Sequence, residues 1–207
     1  MDNKNFSHYF IDVEHKESDY FMFEDEFLNV KAKFKSCNNV FSKNEVDYGT
    51  KVLMTAIVKN YDLNNKNCLD LGCGLGVVSV FLSKLFKEVN FVLSDITDIT
   101  IKLSQQNLKI NNCASFKIIK SNLFENIDEK FDYIITNPPI RVGKQLLLKL
   151  IEDSVNFLNH DGKLILVIRK NHGEESIKKY MEGIFENVEI IRRDKGFYVL
   201  VGYNGNN

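Results

Sequence analysis

At Cys68-Leu69-Asp70-Leu71-Gly72-Cys73-Gly74-Leu75-Gly76 a short apolar run breaks into three alternating glycines, and a second apolar run, Val77 to Phe86, follows at once. Glycines at that spacing suit neither a strand nor a helix interior, so they mark a tight strand-to-helix turn. In an open α/β sheet such a turn lies at the carboxyl edge of the strands, where ligands bind, and the missing Cβ atoms let a ligand approach the backbone. The dinucleotide fingerprint would need glycine where Val77 stands, and no Lys-Ser or Lys-Thr pair follows to make a phosphate loop.

The remaining pattern supports that architecture. Strands are predicted over 68–71, 91–94, 116–119, 131–135 and 163–168, with helices over 45–61, 77–86, 98–111, 144–158 and 174–185. Two last strands, 188–191 and 197–201, flank the turn Asp194-Lys195-Gly196. This alternation predicts a doubly wound, mostly parallel seven-stranded sheet with helices on both faces and an antiparallel edge strand. Residues 44–207 form that α/β domain, and residues 1–43 a short β extension packed on it, in one compact domain overall. In the extension, Tyr20 to Phe23 and Val30 to Lys35 suit a hairpin with the acidic run Glu24-Asp25-Glu26 between them. Val30, Ala32 and Phe34 alternate with Lys31, Lys33 and Lys35. That lysine row is either a solvated strand face or a contact to an RNA backbone.

Hydrophobic residues make up 44% and charged residues 27%, which excludes a disordered, collagen-like or disulfide-miniprotein chain. No apolar run approaches the ~20 residues that span a bilayer, and the polar start Met1-Asp2-Asn3-Lys4-Asn5 leads into no signal sequence. A cytoplasmic protein with no membrane partner is expected. Lys plus Arg is 27 against 28 Asp plus Glu, a net charge of -1, so any nucleic acid must be held by a local patch. Cys37, Cys68, Cys73 and Cys113 form no C-x-x-C pair and read as reduced thiols, with no metal expected.

The sequence holds two prolines, adjacent in Asn137-Pro138-Pro139-Ile140, directly after the fourth strand of the α/β domain. A Pro-Pro pair makes a rigid loop with outward carbonyls and no donor N–H. The Asn137 side-chain oxygen and the Pro138 carbonyl could grip the two hydrogens of an exocyclic amine. That would localise its lone pair, which is catalysis by positioning rather than by a strong base.

The D-x-G-x-G-x-G run from Asp70 to Gly76 resembles motif I of the class I S-adenosylmethionine-dependent methyltransferases. The resemblance implies S-adenosyl-L-methionine as cofactor, with Asp70, Gly72, Gly74 and Gly76 framing its methionine end and Asp95 receiving the ribose hydroxyls. Asn137-Pro138-Pro139-Ile140 is similar to the N-P-P-aromatic motif of enzymes that methylate planar amines, with Ile140 in the aromatic position. Val40 to Thr50, Ser121-Asn122-Leu123-Phe124, Thr136 to Gly143 and Asp194 to Tyr198 resemble the small-subunit ribosomal RNA methyltransferase C family and its short relatives. The likeness implies guanine-N2 methylation of ribosomal RNA, or of the small-subunit particle. It places Phe41, Ser42 and Thr50 at the methionine end and Asn122, where the family has Asp, with Leu123 at the adenine. Arg141, Lys144, Arg169 and Lys170 cluster by sequence around the mouth of the site, as RNA contacts or as solvated charges. Two other readings stand beside this one: a methyltransferase for protein glutamine or for adenine, and a cofactor-binding protein without catalysis.

Overall fold

The computed structural model describes residues 16–38, 40, 44–138, 143–170 and 173–205. In chain order, β1 (Tyr20–Phe27) and β2 (Val30–Cys37) precede α1 (Tyr48–Asn60), β3 (Asn67–Leu71), α2 (Val77–Leu85), β4 (Asn90–Asp95) and α3 (Asp98–Ile110). There follow β5 (Phe116–Lys120), β6 (Phe131–Thr136), α4 (Lys144–Ser154), β7 (Leu158–Arg169), α5 (Glu174–Glu182), β8 (Asn187–Asp194) and β9 (Phe197–Tyr203). The main sheet has the order β5-β4-β3-β6-β7-β9-β8. Its first five strands are parallel, and β9 runs antiparallel to both of its neighbours. The antiparallel strand expected at this end thus lies one place in from the edge strand β8.

Strands buried on both faces require apolar side chains in succession, and Ile134-Ile135 and Leu164-Ile165-Leu166 supply them with no exposed surface. One face packs Leu53 and Ile57 of α1 and Val80 and Phe81 of α2 against Leu93, Ile135 and Val199. The other packs Leu150 and Ile151 of α4 and Ile177 and Met181 of α5 against Leu69, Leu164 and Leu200. From β3 the chain winds outward through β4 to β5, then returns to place β6 on the other side of β3. That reversal opens a crevice at the carboxyl ends of β3, β4 and β6.

The sequence places the hairpin's acidic run between two strands; the structure places it inside β1. Leu28 and Asn29, with φ of 49° and 63°, make the two-residue turn instead. The acids are tolerated because period-2 alternation sends Glu24 and Glu26 outward, opposite Lys33 and Lys31. Phe34 stacks on Phe23 at 5.3 Å and meets Phe81 of α2 at 5.7 Å, which seats the hairpin on the domain.

The outer edge of β2 is closed by α3. Asn107 accepts from the Lys35 N–H at 2.7 Å and donates to the Lys35 carbonyl at 3.1 Å, and Asn111 grips Lys33 in the same way at 3.1 and 2.7 Å. Two amides at i and i+4 on one helix face thereby satisfy the backbone of an edge strand.

Other boundaries shift for local reasons. Helix α1 starts at Tyr48 rather than Glu45 because the Asp47 carboxylate accepts from the Thr50 N–H. Helix α4 stops at Ser154, and β7 already begins at Leu158, which pairs with Phe131. Helix α5 stops at Glu182, with Gly183 as its C-cap.

Candidate active site

The glycine loop is held almost entirely by backbone. Gly72 and Cys73 N–H groups donate to the Ser94 carbonyl at 2.9 and 3.0 Å, and the Gly74 N–H donates to Asp95 Oδ2 at 2.8 Å. All three glycines take left-handed φ, 73°, 54° and 76°, which other residues adopt only under strain. They differ in what a side chain would meet. A Cβ on Gly72 or Gly74 would enter open space, whereas one on Gly76 would press within 3.3 Å of Leu93 and Ser104. Gly72 and Gly74 therefore line a cradle open to a ligand, while Gly76 allows α3 to pack closely.

Asp70 faces inward from the end of β3. It is 3% exposed and accepts from the Ser79 hydroxyl at 2.7 Å and the Ser79 N–H at 3.3 Å. Gly76, the N-cap of α2, has no side chain to cap with, so Asp70 caps the helix from across the loop. Burial pushes its pKa up to about 6 against the pull of the Ser79 bonds, and the Asp95 charge pushes the same way. Asp95, at the end of β4, accepts one bond on each oxygen, from Gly74 N–H and from Ile96 N–H at 2.8 Å. Each carboxylate oxygen keeps a lone pair for a diol.

Asn122, exposed in the turn after β5, donates its amide N–H to Glu125 Oε1 at 2.8 Å. That bond leaves its side-chain oxygen as the group available to an adenine amine. Leu123 is half-buried at a φ of 50°, and its carbonyl accepts from the Ser121 hydroxyl at 2.9 Å. The Cys73 thiol is buried, and desolvation holds its pKa well above the ordinary value, so it stays neutral. Among the described residues no group of His, Cys, Asp and Glu side chains could hold a metal.

The substrate side of the crevice is built by side chains from distant sequence. The Thr136 hydroxyl donates to the Leu71 carbonyl at 2.8 Å, fixing the end of β6 to the head of the glycine loop. Next to it, half-buried Asn137 donates its amide nitrogen to the Thr50 hydroxyl at 2.8 Å and to Asp47 Oδ2 at 3.2 Å. An ionised carboxylate only accepts, so the nitrogen of Asn137 must face Asp47 and its oxygen must face the other way. Thr50, read from the sequence as a contact to the methionine end, stands as a partner of Asn137. Pro138 is buried; Phe41, Ser42, Pro139, Ile140 and Arg141 lie outside the described residues.

The predicted basic residues fall in three places. Lys144 opens α4 and donates to Ser176 Oγ at 3.3 Å. Arg169 ends β7 and Lys170 follows it, with the Arg169 guanidinium 4.8 Å from the Phe197 ring. Lys31, Lys33 and Lys35 lie on the hairpin, where Lys33 pairs with Glu24 at 2.9 Å and Lys35 sits 4.8 Å from the Tyr20 ring. The sequence reading missed Asp47, Ser79, Asn107 and Thr136. Of these only Asp47 carried a signal, an acidic residue just ahead of a helix.

A glycine cradle at the head of β3, a diol-accepting carboxylate at the end of β4 and an amide acceptor after β6, on this strand order, define a class I methyltransferase. The chain belongs to the methyltransferase small domain family, whose pattern it matches over residues 31–201. Its cofactor is S-adenosyl-L-methionine, and Gly72, Gly74 and Asp95 offer the open cradle and acceptors that such a ligand needs.

The chain is 34% identical over 174 residues to the uncharacterized protein YbxB of Bacillus subtilis, covering 83% of this chain and 86% of that one. It is 37% identical over 142 residues to ribosomal RNA small subunit methyltransferase C of Buchnera aphidicola subsp. Baizongia pistaciae, covering 66% of this chain and 43% of the relative's length. Among solved structures, the 16S rRNA N2 methyltransferase RsmC of T. thermophilus, in complex with AdoMet and guanosine, matches with a TM-score of 0.81 at 21% identity. That match covers 89% of this chain and 50% of the other and shows the shared fold.

Proposed function

We propose that this protein methylates an exocyclic amine of RNA, guanine N2 of small-subunit ribosomal RNA, with S-adenosyl-L-methionine as donor. The observation that carries the reading is the fixed orientation of Asn137. Asp47 and Thr50 take its amide hydrogens, so Asn137 presents an oxygen, to which the Pro138 carbonyl would add a second acceptor. Two acceptors suit a planar amine with two hydrogens and would disfavour a hydroxyl or an acidic carbon. Gripping both hydrogens turns the nitrogen lone pair out of conjugation, and the Asp47 and Thr50 bonds hold the Asn137 oxygen in place for this without reorganisation.

On the cofactor side, Gly72 and Gly74 would take the methionine end, Asp95 the ribose hydroxyls, and Asn122 with Leu123 the adenine. When bound, the cofactor supplies an electrophilic methyl group on a cationic sulfur. Asp47 and Asp95 place negative charge around the crevice, which favours a cationic ligand. Guanine is preferred over glutamine and adenine by the likeness to the ribosomal RNA small subunit methyltransferase C relatives, of which this chain spans less than half in the Buchnera case.

Nucleoside mass analysis of small-subunit ribosomal RNA, from cells with and without this protein, tests the assignment. Loss of N2-methylguanosine at one position supports it. N6-methyladenosine, or label on a protein glutamine alone, overturns it.

A further inference from the structure

We propose that the corner where the β8–β9 turn meets the first turn of α1 is the RNA-docking surface of this protein, taking the single-stranded RNA that flanks the target nucleotide. This inference rests on the RNA substrate proposed above. Its core is Tyr48, with Arg169, Lys170 and Lys195 around it.

The charge argument comes first, because a chain of net charge -1 has no overall field to attract a phosphate backbone. The hairpin does not supply the patch. Its lysine face carries Lys31, Lys33 and Lys35, but Glu26 and Glu24 stand directly opposite the first two, and Lys33 is already paired with Glu24 at 2.9 Å. At the β8–β9 corner the balance is different. Of the acids there, Asp194 is occupied by the Tyr48 hydroxyl at 3.0 Å and by Arg192 at 2.5 Å, and Asp47 by the Thr50 N–H and the Asn137 amide, each at 3.2 Å. Among the described residues, no carboxylate lies within ion-pair distance of Arg169, Lys170 or Lys195, and all three are exposed.

Geometry ties this corner to the reacting group. Tyr48 follows Asp47, which holds Asn137, so the first turn of α1 is shared by the amine grip and the patch. The turn is seated tightly on β9, since a Cβ on Gly49 would lie 2.7 Å from the Phe197 ring. The Lys170 N–H donates to the Gly196 carbonyl at 2.8 Å, which locks the end of β7 to the β8–β9 turn. The cations therefore stand on a hydrogen-bonded frame.

Tyr48 adds an aromatic surface. It is 37% exposed, with the Lys195 ammonium 5.0 Å from its ring and Phe197 at 5.8 Å. An aromatic face bordered by exposed cations is what unpaired RNA takes: a base stacks on the ring while the phosphates meet the cations. An acidic protein surface could use the cations but would not need the exposed ring.

The test uses the full chain and a small-subunit ribosomal RNA transcript, with affinity measured across a salt series. Arg169→Ala with Lys195→Ala should weaken binding ~10-fold or more and flatten the slope of log affinity against log salt by about 0.7 for each phosphate no longer neutralised. Tyr48→Ala should weaken binding at every salt concentration, whereas Tyr48→Phe should retain most of it. Cofactor affinity and melting temperature should match the parent in all of these, which excludes a folding defect. The reversed hairpin, with Lys31, Lys33 and Lys35 each changed to Glu, should change RNA affinity far less than the corner pair. Parent-like affinity and slope in the corner variants, beside a hairpin variant that binds poorly, would overturn the proposal. So would corner variants that lose a ribosomal protein but keep the transcript. A parent protein that neither binds nor methylates any RNA removes the RNA reading itself, a result distinct from a misplaced surface.

Discussion

The two halves of the crevice are built in opposite ways. The cofactor half is a backbone construction: Gly72, Cys73 and Gly74 are fixed by N–H bonds to β4, with partners about twenty residues away in sequence. The substrate half is a side-chain construction: Asn137 takes its orientation from Asp47 and Thr50, which are 90 and 87 residues away. Backbone geometry depends on which positions are glycine and tolerates changes around them. Side-chain geometry depends on partners that only the fold brings together. The cofactor half should therefore fail through steric filling, and the substrate half through loss of single hydrogen-bonding groups.

The largest effect should come from Asn137→Ala. Methyl transfer should fall ~10²-fold or more, the scale of losing one preorganised polar partner, with cofactor affinity nearly intact. Calorimetry alongside single-turnover rates separates the two, and a variant with parent-like turnover would break the contrast between the halves. Gly74→Val is the mirror experiment. It forces a β-branched residue to a φ of 54° and puts methyl groups into the open cradle, so cofactor affinity should drop ~10- to 100-fold.

Asp47→Ala comes next. It frees the Asn137 amide to rotate, and kcat should fall ~10-fold with little change in KM for the cofactor. Asp47→Asn is the sharper probe, since an amide there can cap α1 through its oxygen yet present a donor to Asn137. A turnover loss with unchanged melting temperature would identify positioning as the cause.

Asn107→Ala tests how far the hairpin belongs to the cofactor half, because Asn107 also donates to the Leu75 carbonyl in the glycine loop at 2.9 Å. It should cost about 1–2 kcal/mol by stripping buried backbone groups of partners, a drop of a few degrees in melting temperature. Unchanged amide exchange at Lys33 and Lys35 would contradict the edge-closing role.

The smallest effect is in pH dependence. The Asp70 carboxyl titrates near 6 in the fold against 3.8 when unfolded, so between those values the folded protein holds the extra proton. Its contribution to stability therefore falls as pH rises through that window and is lowest above about 6. Asp25 acts in the opposite sense. Burial raises its pKa, but the bonds from Lys51 and from the Val46 and Glu26 N–H groups outweigh that and hold it below 3.8. The stability it contributes is present above that value and is lost as pH falls further. Asp70→Asn should remove the decline between pH 4 and 6 and leave the acid limb set by Asp25. A parent-like profile in that variant would show that Asp70 ionises freely.

Much of the cofactor half can be read without coordinates. Glycine spacing and the apolar strand at 91–94 are local signals, because each reports what the backbone can do at its own position. The alternation of strands and helices likewise leads to the parallel sheet, since buried crossovers admit few other arrangements. The hairpin turn is less legible: Leu28 is a poor turn former and Asn29 lacks the glycine that usually follows it, so the acids before them read as the turn although cross-strand lysines make room for them in the strand.

Three decisions belonged to the tertiary structure alone. It made Asp70 the cap of α2, made Thr50 and Asp47 the holders of Asn137, and gave Asn107 and Asn111 an edge strand to close. Each joins groups far apart in the chain, or depends on which way a side chain points once its neighbours are packed. The sequence by itself determined where the backbone must turn and which faces must be buried, because those follow from local conformation and from hydrophobic periodicity. Which polar groups meet was decided only when the sheet closed, because a hydrogen bond needs its two partners within about 3 Å and no local pattern records that distance.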